Sequence, residues 1–207
     1  MSFEAVRAAY GSRAAEYIEA VGRIEHASAE DREYVLDWAL RLRGRVLDVG
    51  SGPGQWTDHL RRAGVEVEGV EPVPEFVEAA RRDYPESRYR QGRAEQLGVD
   101  DGSLGGVLAW YSLIHTDPGA IDAPLAEFAR AIAPGGSLLI GFFAGDRLEP
   151  FDHAIATAYY WPVELLAARV EAAGFTVTGA GVRRDPEQPA RPGRRPEAAI
   201  RATRASA

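Results

Sequence analysis

Glycines at three alternate positions, Gly50, Gly52 and Gly54, close the stretch Val46-Leu47-Asp48-Val49-Gly50-Ser51-Gly52-Pro53-Gly54-Gln55-Trp56. Such a run allows a closeness of backbone approach that side chains prevent, a requirement usually set by a ligand. Glu71 lies 21 residues beyond Gly50, the separation at which a carboxylate meets the hydroxyls of a ribose. A carboxylate suits that task because it accepts from both vicinal hydroxyls at once. Together these residues predict a nucleoside site. His115, four residues after Tyr111, titrates near neutrality and is the best-placed general base, with loop capping as its alternative role. His26, His59 and His153 share no ligand spacing, so no metal is expected.

Composition narrows the chemistry further. The 207 residues contain no cysteine and no lysine, which removes thiolate, zinc–thiolate and Schiff-base mechanisms. A net charge of −7 argues against a dedicated nucleic-acid binder. Seven arginines against three acidic residues between Gly181 and Ala207 read as a solvated loop, not an RNA surface. No apolar run approaches a membrane span, and the N-terminus lacks a signal-peptide apolar centre. The expectation is a cytoplasmic protein, monomeric or homodimeric.

The elements that must position these residues are visible as alternating periods. Apolar residues from Phe3 to Val21 recur at helical spacing, with a possible break at Gly11, and a second helix covers about Ala29 to Leu42. Strands are predicted at 45–49, 65–70, 87–91, 104–110, 137–142, 175–182 and 198–203. Helices are predicted at 55–63, 74–83, after Asp117-Pro118 with Leu125, Phe128, Ala129 and Ile132 inward, and at 161–173. Pro134-Gly135-Gly136 reads as the turn into the fifth strand, and Pro186 to Pro196 as an exposed loop. This is an α/β pattern: a doubly wound, mostly parallel seven-stranded sheet closed by an antiparallel C-terminal hairpin. One domain spans 1–207, with a helical lid over 1–42 and the core over 43–207. The glycine loop then sits beyond the carboxyl end of the first strand, where such sheets bind ligands.

Phosphate fits that loop poorly. The glycines spell G-x-G-x-G, Gln55 occupies the place of the third fingerprint glycine, and Asp48 brings negative charge towards a pyrophosphate. S-adenosylmethionine, a nucleoside with a cationic amino-acid tail, suits the loop better. Here the chain resembles the class I S-adenosylmethionine-dependent methyltransferases, with their Rossmann-like fold. VLDVGSGPG is similar to their first motif and GVEPVPEFVEAAR to their second. GRAEQL with DDGSLGGVLAWYSLIHT resembles their adenine segment and fourth strand, and FARAIAPGGSLLIGFF the surroundings of the fifth.

The resemblance implies roles. Gly50 and Gly52 would meet the methionine end by their backbone, with Ser51, Gly54 and Trp56 in the same cofactor-binding segment and Asp48 holding the ammonium side. Glu71 would accept from the ribose and Pro72 lie at the adenine edge. Arg93, Ala94 and Glu95 would form the adenine segment, Arg93 standing where many relatives carry Asp. Trp110 and Tyr111 would border the methionine and the transferred methyl, with Tyr111 also a catalytic candidate. An aromatic wall of Tyr111, Phe142, Phe143, Tyr160 and Trp161 would face the sulfonium. Tyr10, Arg13 and Tyr17 would lie on the lid. Gly105-Gly106 replaces a common Phe-Asp pair. The implied activity is methyl transfer to an O, N or C nucleophile of a small molecule, leaving S-adenosylhomocysteine. Two other readings remain open: a methyltransferase-like binding protein without turnover, and a nicotinamide-dependent oxidoreductase.

Overall fold

Val46–Val49 (β1) and Leu104–Trp110 (β4) are buried along their whole length, as continuous apolar strands in the middle of a two-faced sheet must be. In the computed structural model, which describes residues 2–183 and 195–205, they are neighbours in a seven-stranded sheet. Its other strands are Val67–Glu71 (β2), Arg88–Gln91 (β3), Ile132–Phe143 (β5), Phe175–Arg183 (β8) and Glu197–Arg204 (β9). The order is β3-β2-β1-β4-β5-β9-β8. β1 to β5 run parallel, and β9 is antiparallel to both β5 and β8. The chain reverses direction across the sheet between β1 and β4, and this switch opens a crevice at their carboxyl ends.

Helices cover both faces. Ala29–Leu40 (α3) and Gln55–Arg62 (α4) bury Trp38, Trp56 and Leu60 against Leu108 and Leu139. Asp122–Ala131 (α6) and Val163–Ala172 (α7) bury Leu125, Phe128, Leu166 and Val170 against Leu47, Val107 and Leu138. Pro74–Asp83 (α5) packs Val77 and Ala80 on Tyr89. Phe3–Ser12 (α1) and Ala14–Val21 (α2) sit on α5 through Tyr10, Ala14, Tyr17, Val73 and Phe76. No residue of α1 is fully buried. Among the described residues, no helix is long and apolar enough to cross a membrane.

Several boundaries differ from expectation. The first helix breaks at Arg13, not Gly11. Asp117 caps a 3-10 turn over Pro118–Ala120, accepting from Gly119 N, and α6 starts only at Asp122. Ile132 is not helical; it opens β5, and Pro134-Gly135-Gly136 forms a bulge where the register jumps from Leu104↔Ile132 to Gly106↔Ser137. Trp161 precedes α7 and bridges to Ala144. Glu149–Asp152 (β6) and Thr157–Tyr160 (β7) form a separate antiparallel pair absent from the sequence reading; their Asp, Pro and Ala residues carry little strand signal. Residues 186–194 of the expected proline-rich loop lie outside the described residues.

The Gly105-Gly106 pair has a steric reason. A Cβ on Gly105 would lie 2.0 Å from the Arg43 carbonyl oxygen, and one on Gly106 would lie 2.8 Å from the Ser137 oxygen. Backbone crosses too closely here for any side chain.

Candidate active site

The glycine loop takes its shape from three positive φ angles: +72° at Gly50, +54° at Gly52 and +91° at Gly54. Two of these glycines are also sterically required. A Cβ on Gly50 would sit 2.2 Å from Ser112 Cβ, and one on Gly54 would sit 2.7 Å from the Tyr89 ring. Gly52 differs, because a Cβ there would meet nothing within 4 Å. It lines a cavity of about 340 Å³. Close packing behind the loop and open space before it form a cradle.

Glu71, at the end of β2, supports that cradle. Its Oε2 accepts from Gly52 N at 2.8 Å and its Oε1 from Val73 N at 2.8 Å. Burial, opposed by these two hydrogen bonds, pushes its carboxyl up to about 7. Asp48 lies beneath the loop. It accepts from Thr57 Oγ1 at 2.7 Å, and burial raises it to about 6. Asp48 does not itself line the cavity; its hydrogen bond ties β1 to α4.

The cavity gathers Gly50, Gly52, Glu71, Pro72, Arg93, Ala94, Glu95, Trp110, Tyr111, His115, Tyr10 and Tyr17. These come from the ends of β1, β2 and β4, from the segment after β3, and from the lid. Besides Asp48, four sequence-predicted residues lie elsewhere. Ser51 and Gly54 are packed within the loop, and Trp56 faces Trp110 edge-on at 5.9 Å from the opposite side. Arg13 pairs with Glu16 and donates to the Ala154 carbonyl in the β6–β7 turn, pinning the lid outside the cavity. Of the proposed aromatic wall only Tyr111 lines the space; Phe142 and Trp161 belong to the core.

Tyr111 is the one described non-glycine residue with positive φ, at 56°. This costly backbone lies where β4 ends at the crevice, as strain at functional positions commonly does. Its ring meets Trp110 edge-on at 5.3 Å and Phe143 at 5.2 Å. Arg93 stacks its guanidinium 3.8 Å over the Phe3 ring and pairs with Glu95 at 3.4 Å, which closes the cavity where α1 begins.

His115 lies on the opposite wall. Its Nε2 is 2.8 Å from Tyr10 Oη and its Nδ1 is 2.8 Å from the Thr157 carbonyl oxygen. Burial lowers its basicity, and the Thr157 bond partly restores it. His153 stands beside it with ring centroids 5.2 Å apart. Burial, then the neighbouring His115 and Arg195, bring His153 down to about 4.

Sequence reasoning missed Phe3, Val6 and Arg7, which line the lid side. Their signal was present: positions 3, 6 and 10 share one helical face with the predicted Tyr10. Phe76 and Ser112 also line the cavity. His153 carried no signal, because its neighbourhood depends on the unforeseen β6–β7 pair.

The sheet order, the cradle and the carboxylate at the second strand are the arrangement that the resemblance to class I S-adenosylmethionine-dependent methyltransferases implies. Comparison with known proteins agrees. The family model described as "Methyltransferase domain" matches residues 46–136. An uncharacterized methyltransferase of Mycobacterium tuberculosis is 34% identical over 120 residues, covering 58% of this chain and 48% of the relative. A malonyl-[acyl-carrier protein] O-methyltransferase of Erwinia billingiae is 28% identical over 79% of this chain and 61% of its own. The fold matches the crystal structure of Burkholderia thailandensis 1,6-didemethyltoxoflavin-N1-methyltransferase, solved with that substrate and S-adenosylhomocysteine. That match has a TM-score of 0.77 at 21% identity, over 98% of this chain and 88% of that one. The chain is thus similar to methyltransferases in sequence over residues 46–136 and in fold over nearly its whole length. It spans about half the length of the uncharacterized mycobacterial relative and its counterparts.

Proposed function

We propose that the protein transfers a methyl group from S-adenosylmethionine to an oxygen or nitrogen atom of a small-molecule acceptor. One observation carries this reading: a single cavity joins the glycine cradle and Glu71 to His115. The residues present fit the donor. Gly52 leaves open room at the cradle, Glu71 offers a carboxylate to a diol, and Ala94 and Glu95 line the same space. The donor, when bound, supplies an electrophilic methyl on a sulfonium that leaves as a neutral thioether.

The protein's part is binding, orientation and proton removal. Trp110 and Tyr111 present aromatic faces that favour a cationic neighbour. Phe3, Val6 and Tyr10 on the lid exclude water and hold acceptor and donor close. His115 takes the proton that an O–H or N–H acceptor must lose, a role that contributes about 10²- to 10⁴-fold when well placed.

Calorimetry with S-adenosylhomocysteine and NADH in parallel tests the cofactor. Binding of the first and not the second is expected; the reverse would overturn the reading in favour of an oxidoreductase. A screen with donor labelled in the methyl group then identifies an acceptor. With it, His115→Ala should lower turnover about 100-fold while leaving S-adenosylhomocysteine affinity within a few-fold. Turnover equal to wild type would dismiss the base.

A further inference from the structure

Two hydrogen bonds on opposite sides of one imidazole fix where its proton is. Thr157 contributes a carbonyl oxygen to Nδ1 of His115 at 2.8 Å, and a carbonyl can only accept. Nδ1 therefore carries the hydrogen. In the neutral ring, Nε2 is then a bare acceptor, so Tyr10 must be the donor across its 2.8 Å contact. The chain of bonds has one direction: Tyr10 O–H to Nε2, and Nδ1–H to the Thr157 carbonyl. It joins the lid helix, the loop after β4 and the β6–β7 pair. Tyr159 N donates to Ile114 O at 3.0 Å one residue before His115, anchoring the same loop to the same pair.

Nε2 thus faces Tyr10, and both side chains line the cavity. We infer that Tyr10 and His115 act as one proton-transfer pair, in which the acceptor's proton enters through the Tyr10 hydroxyl and the pair's excess proton ends on Nε2 of His115. This deepens, and rests on, the methyl-transfer reading above. As the acceptor's X–H bond breaks, its electron pair becomes the new X–CH3 bond and sulfur retains the pair of the broken C–S bond. The released proton moves to Tyr10 Oη while the phenol proton passes to Nε2. Tyr10 is neutral before and after. The imidazolium then donates from both nitrogens, to the Thr157 carbonyl and to Tyr10 Oη.

The surroundings suit a relay better than a stored charge. Burial, then Tyr17 and Glu71, suppress ionisation of Tyr10, so a free phenolate does not accumulate. The ring of His153 stands 5.2 Å from His115, and the Arg195 charge also acts on it. Asp117, two residues along the loop, lines the same cavity, yet no carboxylate bonds the His115 ring among the described residues. The cation therefore lacks a bonded counter-ion and has reason to pass its proton on.

Imidazole ¹⁵N NMR tests the pair without a known acceptor, with His115→Gln used to assign the His115 signals. The wild-type ring should show hydrogen on Nδ1 and none on Nε2 at pH 7.5. Tyr10→Phe keeps the ring that packs edge-on against Tyr17, Phe76 and His115, but removes the hydroxyl that donates to the neutral imidazole and accepts from the imidazolium. Because the bond accepted from the imidazolium is the stronger of the two, the His115 midpoint should then fall by about half to one pH unit. A hydrogen on Nε2, or an unchanged midpoint in a Tyr10→Phe protein with wild-type circular dichroism, overturns the pair. The two readings fail separately. Absence of S-adenosylhomocysteine binding by wild type removes the methyl-transfer reading and the inference resting on it. Intact binding with an unmoved midpoint removes the pair alone.

Discussion

The two walls of the cavity are built from different materials. On the cradle side, backbone does the work: left-handed glycines, amides donating to Glu71, and strand ends whose positions follow from the sheet. On the lid side, side chains do it. Tyr10, Tyr17, Phe76, His115 and His153 meet ring to ring, and α1 contributes no fully buried residue. A wall of backbone is dictated locally and stays fixed. A wall of side chains is assembled from segments far apart in sequence and can be changed without disturbing the sheet. This division suits one invariant ligand, the donor, facing one variable ligand, the acceptor.

The sharpest way to break the contrast is Gly50→Val. A left-handed backbone costs a β-branched residue about 1–2 kcal/mol, and its Cβ would also overlap Ser112, 2.2 Å away. S-adenosylhomocysteine affinity should fall by more than about 100-fold, equivalent to 2.7 kcal/mol, as read by calorimetry. A smaller loss would mean that the cradle yields. The lid should behave oppositely. Removing residues 1–12 should leave a cooperative melting transition, because α1 buries nothing fully, yet weaken the same affinity about tenfold through lost enclosure. Loss of the transition itself would place α1 in the core.

The same division decided what was legible in the sequence. The cradle, the place of Glu71 and the succession of the seven sheet strands could be read because glycine density, alternating periods and a fixed spacing are local signals. Asp48 was placed at the right loop, but its bond to Thr57 was not foreseen, since nothing local reveals that Thr57 turns back to it. The β6–β7 pair and His153 were invisible. Glu149–Asp152 and Thr157–Tyr160 are too short and too poor in β-branched residues to announce strands. Without that pair there was no reason to expect a carbonyl behind His115. His115 itself was found by chemistry; its partner Tyr10 was assigned to the lid, and only the fold brings the two together across 105 positions.

Titration of the cradle offers a further test of its rigidity. Asp48 and Glu71 both have folded values raised, to about 6 and about 7. Their contribution to stability is therefore fully present below their unfolded values near 4, and is lost as pH rises through 6 to 7. A ligand diol that bonds the Glu71 carboxylate reverses this, because it favours the ionised form. At pH 6 only about one free molecule in ten carries that charge. S-adenosylhomocysteine affinity should accordingly rise close to tenfold between pH 6 and pH 8, and Glu71→Gln should flatten the profile. A flat wild-type profile would show that the diol is held elsewhere.

The smallest effect belongs to the seam where the walls meet. Arg93 holds Phe3 by a cation–π contact at 3.8 Å and Glu95 by an ion pair at 3.4 Å, but its side chain is about half exposed. Contacts of this kind at exposed sites are worth about 0.5–1 kcal/mol. Arg93→Ala should weaken S-adenosylhomocysteine binding by only about two- to fivefold, and added salt should reduce the difference further because water and ions already reach the pair. Arg93→Gln should behave like Ala, since it retains length without charge. A loss above about 30-fold would mean that Arg93 contacts the adenine ring itself, in the place where many relatives carry Asp, and that the seam is part of the binding surface instead of its latch.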